Sequence, residues 1–143
     1  MTHYPTAQHV SPHLKWAELA CHDRVRTSYP DAWREDRAVT LARVFEALRA
    51  IVGAPLVVLS AYRTPEHNAS VGGAPKSQHV EGRALDLTCA TLRPLDLYGR
   101  ARVLAESLTE IGGLGLYDHF IHVDIRPRVD GRVARWDLRK APR

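Results

Sequence analysis

Two short runs, Ala84-Leu85-Asp86-Leu87-Thr88 and Phe120-Ile121-His122-Val123-Asp124-Ile125, alternate residue by residue in a way that only strands can use. As strands they turn Ala84, Asp86 and Thr88 to one face and Leu85 and Leu87 to the other. In the second run Phe120, His122 and Asp124 stand opposite Ile121, Val123 and Ile125. A chain patterned like this must build a sheet with one face packed on apolar side chains. Asp86 and His122 then project from the other face on rigid backbone.

His79 lies just before the first of these strands, and Gly82 in the intervening turn permits a tight path or a positive φ. The turn can therefore carry His79 back over Asp86. A carboxylate set between apolar strands needs a cation, a donor network or a metal, and two imidazoles at hand favour the metal. The set reads SxHxxGxAxD from Ser77 to Asp86, followed downstream by His122-Val123-Asp124. Zinc at a hydrolytic centre takes three His or carboxylate ligands and keeps a position open for water, and His79, Asp86 and His122 supply the three. Each of these residues alone is more often a hydrogen-bonded structural group; the constellation carries the expectation.

The remaining elements follow from periodicity. Glu35 to Val52 carries Leu41, Phe45, Leu48 and Val52 at helical spacing and stops at Gly53-Ala54-Pro55. Leu56 to Ser60 is a short apolar, β-branched run, expected as a buried strand that delivers Tyr62 and Arg63. Thr64 to Lys76 is expected as a loop with about one helical turn, serving as wall and lid over the site. Pro94 to Ile111 predicts a second core helix ended by Gly112-Gly113. Leu114 to Tyr117 and Phe120 to Arg126 read as antiparallel neighbours joined at Asp118-His119, with Arg132 to Trp136 as a last strand. The order predicts an α+β fold, a small antiparallel sheet carrying the zinc site and flanked by helices.

Length and composition restrict the rest. The 143 residues, 45% hydrophobic, suit one domain over 1–143 whose core needs no disulfide, with 1–13 as a flexible polar arm holding His3, His9 and His13. Cys21 and Cys89 lack the spacing of a structural zinc site and are compatible with free thiols or with one bridge. The net charge of +4 comes from arginines spread along the chain. That implies generic attraction to polyanions, and no nucleic-acid-binding module is recognisable. Met1 to Trp16 has no apolar run, so neither a secretory signal nor a membrane span is expected there; the chain is expected to be cytoplasmic as synthesised, with no membrane partner.

Most of the chain resembles the zinc D-alanyl-D-alanine carboxypeptidases and their endopeptidase relatives, in particular the short single-domain branch of bacteria and phages. The resemblance starts at Trp16-Ala17-Glu18-Leu19-Ala20-Cys21. It continues through Ser60-Ala61-Tyr62-Arg63-Thr64-Pro65-Glu66-His67-Asn68 and Val71-Gly72-Gly73-Ala74-Pro75-Lys76-Ser77-Gln78-His79, and ends at Arg135-Trp136. It implies a hedgehog/DD-peptidase-like fold, one Zn2+ per chain on His79, Asp86 and His122, and Arg63 steadying an oxyanion or a substrate carbonyl. The other reading of Arg63 is a salt bridge to a carboxylate such as Asp124, which itself is placed to orient a ligand.

The chain departs from the family at the general base. The family commonly has an acidic residue three positions before the last ligand; here that position is His119, with Asp118 one residue earlier. Either can take a proton from the attacking water, Asp118 being placed ahead of His119, or both can be exposed turn residues. The resemblance implies a zinc metallopeptidase acting on peptidoglycan stem peptides as a D-Ala-D-Ala carboxypeptidase or an L-Ala-D-Glu type endopeptidase. A phage endolysin or a component that meets other phage structural proteins would reach the wall after release or during entry. The alternative is a non-catalytic zinc-containing wall-binding or phage structural module of the same fold.

Overall fold

The computed structural model describes residues 2–140. In chain order it contains β1 (His9–Ser11), β2 (Leu14–Lys15), α1 (Trp16–Leu19), α2 (Arg37–Val52), β3 (Val57–Ser60), α3 (Pro65–Ser70), β4 (Ala84–Thr88), α4 (Pro94–Ser107), β5 (Gly113–Leu116), β6 (Ile121–Asp124) and β7 (Ala134–Asp137). A 3₁₀ turn at Asp31–Trp33 precedes α2. The architecture is α+β, as the order of elements predicts.

Five strands form the main sheet in the order β3-β4-β6-β5-β7. Neighbours are antiparallel except β5 and β7, which run parallel because the loop 125–133 carries the chain from β6 past β5 to the far edge. Register places Leu85, Val123, Leu114 and Arg135 in one cross-strand row and Asp86, His122, Gly115 and Trp136 in the next. Alternation therefore gives the two faces different characters. Leu85, Leu87, Ile121, Val123, Leu114 and Leu116 are buried in the core with Leu41, Val44, Phe45 and Leu48 of α2 and Leu97, Ala101 and Leu104 of α4.

α2 starts at Arg37, two residues later than expected, because the Asp36 side chain accepts the Arg37 N–H as its cap. It ends at Gly53, whose φ of 72° closes the last turn with an N–H to the Arg49 carbonyl at 2.8 Å. α4 begins at Pro94 as expected but stops at Ser107, short of Ile111. The expected terminator is not used: the Arg128 guanidinium donates to the carbonyls of Ala105, Leu108 and Ile111. A cation on these carbonyls does what a C-terminal glycine usually does. Gly113 instead opens β5.

The expected polar arm requires a correction. From residue 9 the chain forms the β1–β2 hairpin, with Val10 and Leu14 buried. Ser11 Oγ and the His13 N–H both donate to the Glu46 carboxylate of α2, at 2.6 and 2.8 Å. Two apolar side chains and one half-buried acceptor suffice to hold the segment down. Cys21 and Cys89 are buried free thiols, which resolves the choice left open between thiols and a bridge. Among the described residues no helix is long and apolar enough to cross a membrane.

Candidate metal centre

His79 reaches Asp86 through a tight turn. Gly82 has a φ of 66°, and a Cβ there would come within 2.6 Å of the Trp33 ring and 2.9 Å of Tyr29 Oη. Both the conformation and the space require glycine. Tyr29 Oη donates to the Gly82 carbonyl at 2.6 Å, pinning the turn to the core. Asp86 and His122 are direct cross-strand partners of β4 and β6, so their side chains meet on the same face.

The three residues converge and are buried, with one potential ligand atom from each lying within 4.8 Å of the others. His79 Nε2 is 3.1 Å and His122 Nδ1 is 3.2 Å from the same oxygen, Asp86 Oδ1. The opposite ring nitrogens face pure acceptors: His79 Nδ1 the Ala61 carbonyl at 2.7 Å, and His122 Nε2 the Asp124 carboxylate at 2.7 Å. Those partners cannot donate, so these nitrogens carry the protons. In neutral rings the lone pairs of His79 Nε2 and His122 Nδ1 then both point at a carboxylate oxygen. Three acceptors facing one another suit a cation, and two nitrogens with one oxygen are a donor set that zinc accepts.

The electrostatics agree. Burial drives the Asp86 pKa upward, yet positive charge shared with the His122 and His79 rings, as protons on Nδ1 and Nε2 or as a cation in their place, outweighs it and holds the carboxyl well below the usual range. Burial opposes charge on His122, but the hydrogen bonds to Asp124 and Asp86 raise its pKa. Asp124 is brought down to about 2; burial works against this, and bonds from His122 and Arg126 overcome it. The point between the two rings and Asp86 Oδ1 thus favours a proton or a metal.

Arg63 stands beside this set. Its Nη2 is 3.3 Å from Asp86 Oδ2, while Nε donates to Ser60 Oγ at 3.1 Å and Nη1 to Asn68 Oδ1 at 3.2 Å. The Arg63 salt bridge is therefore to Asp86 and not to Asp124. Asp124 is taken by Arg126, whose Nη2 lies 2.6 Å from Oδ2. The expected wall is partly α3, capped by Thr64 Oγ1 and started by Pro65. Asn68 in it donates to the Ala74 carbonyl at 2.8 Å.

An open cleft of about 640 Å³ lies over the triad, lined among others by Arg63, Lys76, Tyr117, Phe120, Arg126 and Trp136. Asp118 and His119 are not brought to it. They sit on the turn between Tyr117 and Phe120, where His119 is exposed and the Asp118 carboxylate accepts the Lys140 N–H at 3.0 Å. Among the described residues Asp86 is the only carboxylate lining the cleft.

Sequence reasoning assigned no part to Trp136 or Arg126. The Trp136 ring lies 5.1 Å from that of His122, its Nε1 donates to Tyr117 Oη at 3.0 Å, and the Arg126 guanidinium sits 5.1 Å from its centroid. Gly113 and Gly115, alternate residues of β5, make the room: a Cβ would come within 2.4 Å of Asp124 Oδ2 at the first and 2.3 Å of Trp136 Nε1 at the second. That spacing of two glycines on one strand face was the available signal.

A buried carboxylate and two oriented imidazoles at the floor of an open cleft could hold a metal ion, the donor set that a metal-dependent hydrolase requires. The family model for peptidase M15 matches residues 12–124, and the chain belongs to that family of zinc-dependent, D-alanyl-D-alanine carboxypeptidase-like metallopeptidases, which hydrolyse peptide bonds. A search of curated proteins finds no match.

Proposed function

We propose that the chain binds one zinc through His79 Nε2, Asp86 Oδ1 and His122 Nδ1 and cleaves a peptide bond in peptidoglycan stem peptides. The observation that carries this reading is the convergence of His79 Nε2, Asp86 Oδ1 and His122 Nδ1 on a point facing the cleft, with the other nitrogen of each ring turned to an acceptor. Zinc there would lower the pKa of the attacking water and polarise the scissile carbonyl. The Arg63 guanidinium lines the cleft beside Asp86, where a fixed positive charge steadies the oxyanion that develops. Asp124 holds the His122 ring, and Arg126 and Gly113 hold Asp124.

The proton acceptor is assigned to His119. It stands outside the cleft in this structure, on the exposed turn between the cleft residues Tyr117 and Phe120, and would have to be drawn in with substrate; it makes no hydrogen bond among the described residues, whereas the Asp118 carboxylate accepts the Lys140 N–H. This reverses the order preferred on sequence. Lys76, Arg63 and Arg126 line the cleft beside the aromatic rings of Tyr117, Phe120 and Trp136, a surface matched to a peptide that carries free carboxylates. Wall stem peptides have that chemistry. Action at the wall after release, as an endolysin or as a phage component, completes the reading.

The test is zinc content by mass spectrometry, wild type against His122→Ala, with release of peptides from purified peptidoglycan followed in parallel. About one zinc per chain, lost in the variant together with peptide release, is the expected result. Zinc without peptide release would move the substrate away from the wall peptide bond or leave a wall-binding role. No zinc after reconstitution would overturn the reading.

A further inference from the structure

The second cavity of the fold lies on the opposite face of the sheet, between α4 and the β7 edge, with a volume of about 600 Å³. It shares no lining residue with the metal cleft. Val133, half-buried, and Val103 of α4, 62% exposed, supply apolar surface, with the buried Ala105 and Leu114 behind them. Four guanidiniums line the groove, those of Arg102, Arg128, Arg132 and Arg135, against the single carboxylate of Glu106. Arg128 is engaged by backbone carbonyls. Arg102, Arg132 and Arg135 have neither an ion pair nor a side-chain hydrogen bond among the described residues.

Two further observations concern the groove. Gly99 lines it from the middle of α4, where glycine weakens a helix, yet a Cβ there would meet nothing within 4 Å. No packing inside the fold requires that glycine; its effect is to leave the groove open. The groove also adjoins a sheet edge. The N–H groups of Ala134 and Leu138 turn inward to the carbonyls of Gly112 and Leu116, so strand alternation turns the backbone N–H and C=O of Arg135 outward, and no described strand pairs beyond β7.

We propose that this groove and edge form a docking site for an extended acidic segment of a protein partner. The segment adds as a strand beside β7, sets an apolar side chain over Val103 and Val133, and places carboxylates on Arg102, Arg132 and Arg135. The outward backbone of Arg135 favours a polypeptide over a phosphate polymer, because only a peptide backbone offers both a donor and an acceptor at strand spacing. The site is independent of the metal centre.

The experiment is fluorescence anisotropy on the full chain, with a fluorescein-labelled peptide of alternating glutamate and valine as probe. Saturable binding is expected, weakened about tenfold or more by Arg132→Glu with Arg135→Glu and by Gly99→Gln, which fills the groove without removing charge. A wild-type far-UV circular dichroism spectrum and a cooperative urea transition show that each variant is folded. N-methylating alternate amides of the peptide leaves the protein untouched and is expected to weaken binding to a similar degree. Absence of saturable binding, or affinity indifferent both to Gly99→Gln and to N-methylation while polyphosphate competes, overturns the proposal and leaves only surface charge.

Discussion

His122 Nε2 lies 2.7 Å from Asp124 Oδ2, two residues along the same strand, and this bond turns Nδ1 toward Asp86. Residues i and i+2 share a face, so a histidine and a carboxylate at that spacing meet without help from another element. What fixes the carboxylate is tertiary: Arg126 donates to it through Nε and Nη2, and Gly113 across the ladder leaves the space it fills.

Replacing that carboxylate by an amide tests the relationship. Asp124→Asn is expected to weaken zinc binding by about 10–100-fold, because a neutral amide lowers the basicity of the ring and, able to donate as well as accept, no longer fixes its tautomer. Competition with a chromophoric chelator measures it. Unchanged affinity would mean that the His122 ring is oriented by Trp136 alone.

Gly115→Ala tests the packing behind the site. The new methyl would lie 2.3 Å from Trp136 Nε1, and the indole must move away from His122 and Tyr117. A loss of about 1–3 kcal/mol in urea denaturation is expected. Gly99→Ala is the control, since its methyl meets nothing; a gain of about 0.5–1 kcal/mol is expected there.

The assignment of the proton acceptor is tested by single alanine replacements. His119→Ala is expected to lower kcat by about 100-fold or more and to remove a limb of the pH profile. Asp118→Ala should keep that limb. The reverse pattern would return the role to Asp118.

Glu46 predicts a pH dependence of stability. Burial raises its pKa, but bonds from Ser11 and His13 prevail and the folded value lies below the ordinary 4.5. A carboxyl with a depressed folded pKa contributes stability above its unfolded value, and loses it as pH falls through the folded one. Glu46→Gln should therefore lower the urea midpoint at pH 7, and the difference from wild type should shrink as pH falls below 4.5. A difference independent of pH would assign the effect to packing.

Much of the fold was legible because burial repeats at the period of the element. Leu41, Phe45 and Leu48 mark α2, and Leu85 with Leu87 mark the covered face of β4, wherever the rest of the chain goes. The end of α4 was not legible. Its last carbonyls are held by Arg128, a residue far along the chain, so the local signal at Gly112-Gly113 misled. The β1–β2 hairpin was missed for a related reason, since Val10 and Leu14 are too few to pattern until α2 and Glu46 receive them.

The sequence by itself determined the polar face of the sheet: strand alternation places Asp86 with Ala84 and His122 with Asp124, and the turn at Gly82 lets His79 return. These are short-range consequences of backbone geometry. Only the tertiary structure decided that Asp86 and His122 are partners in register, that Arg126 and not Arg63 takes Asp124, that Trp136 packs on His122, and that Asp118 and His119 stay out of the cleft. Each of those depends on which strands become neighbours and on the room left by Gly113 and Gly115, and pairing between distant segments carries no period that a chain reveals one residue at a time.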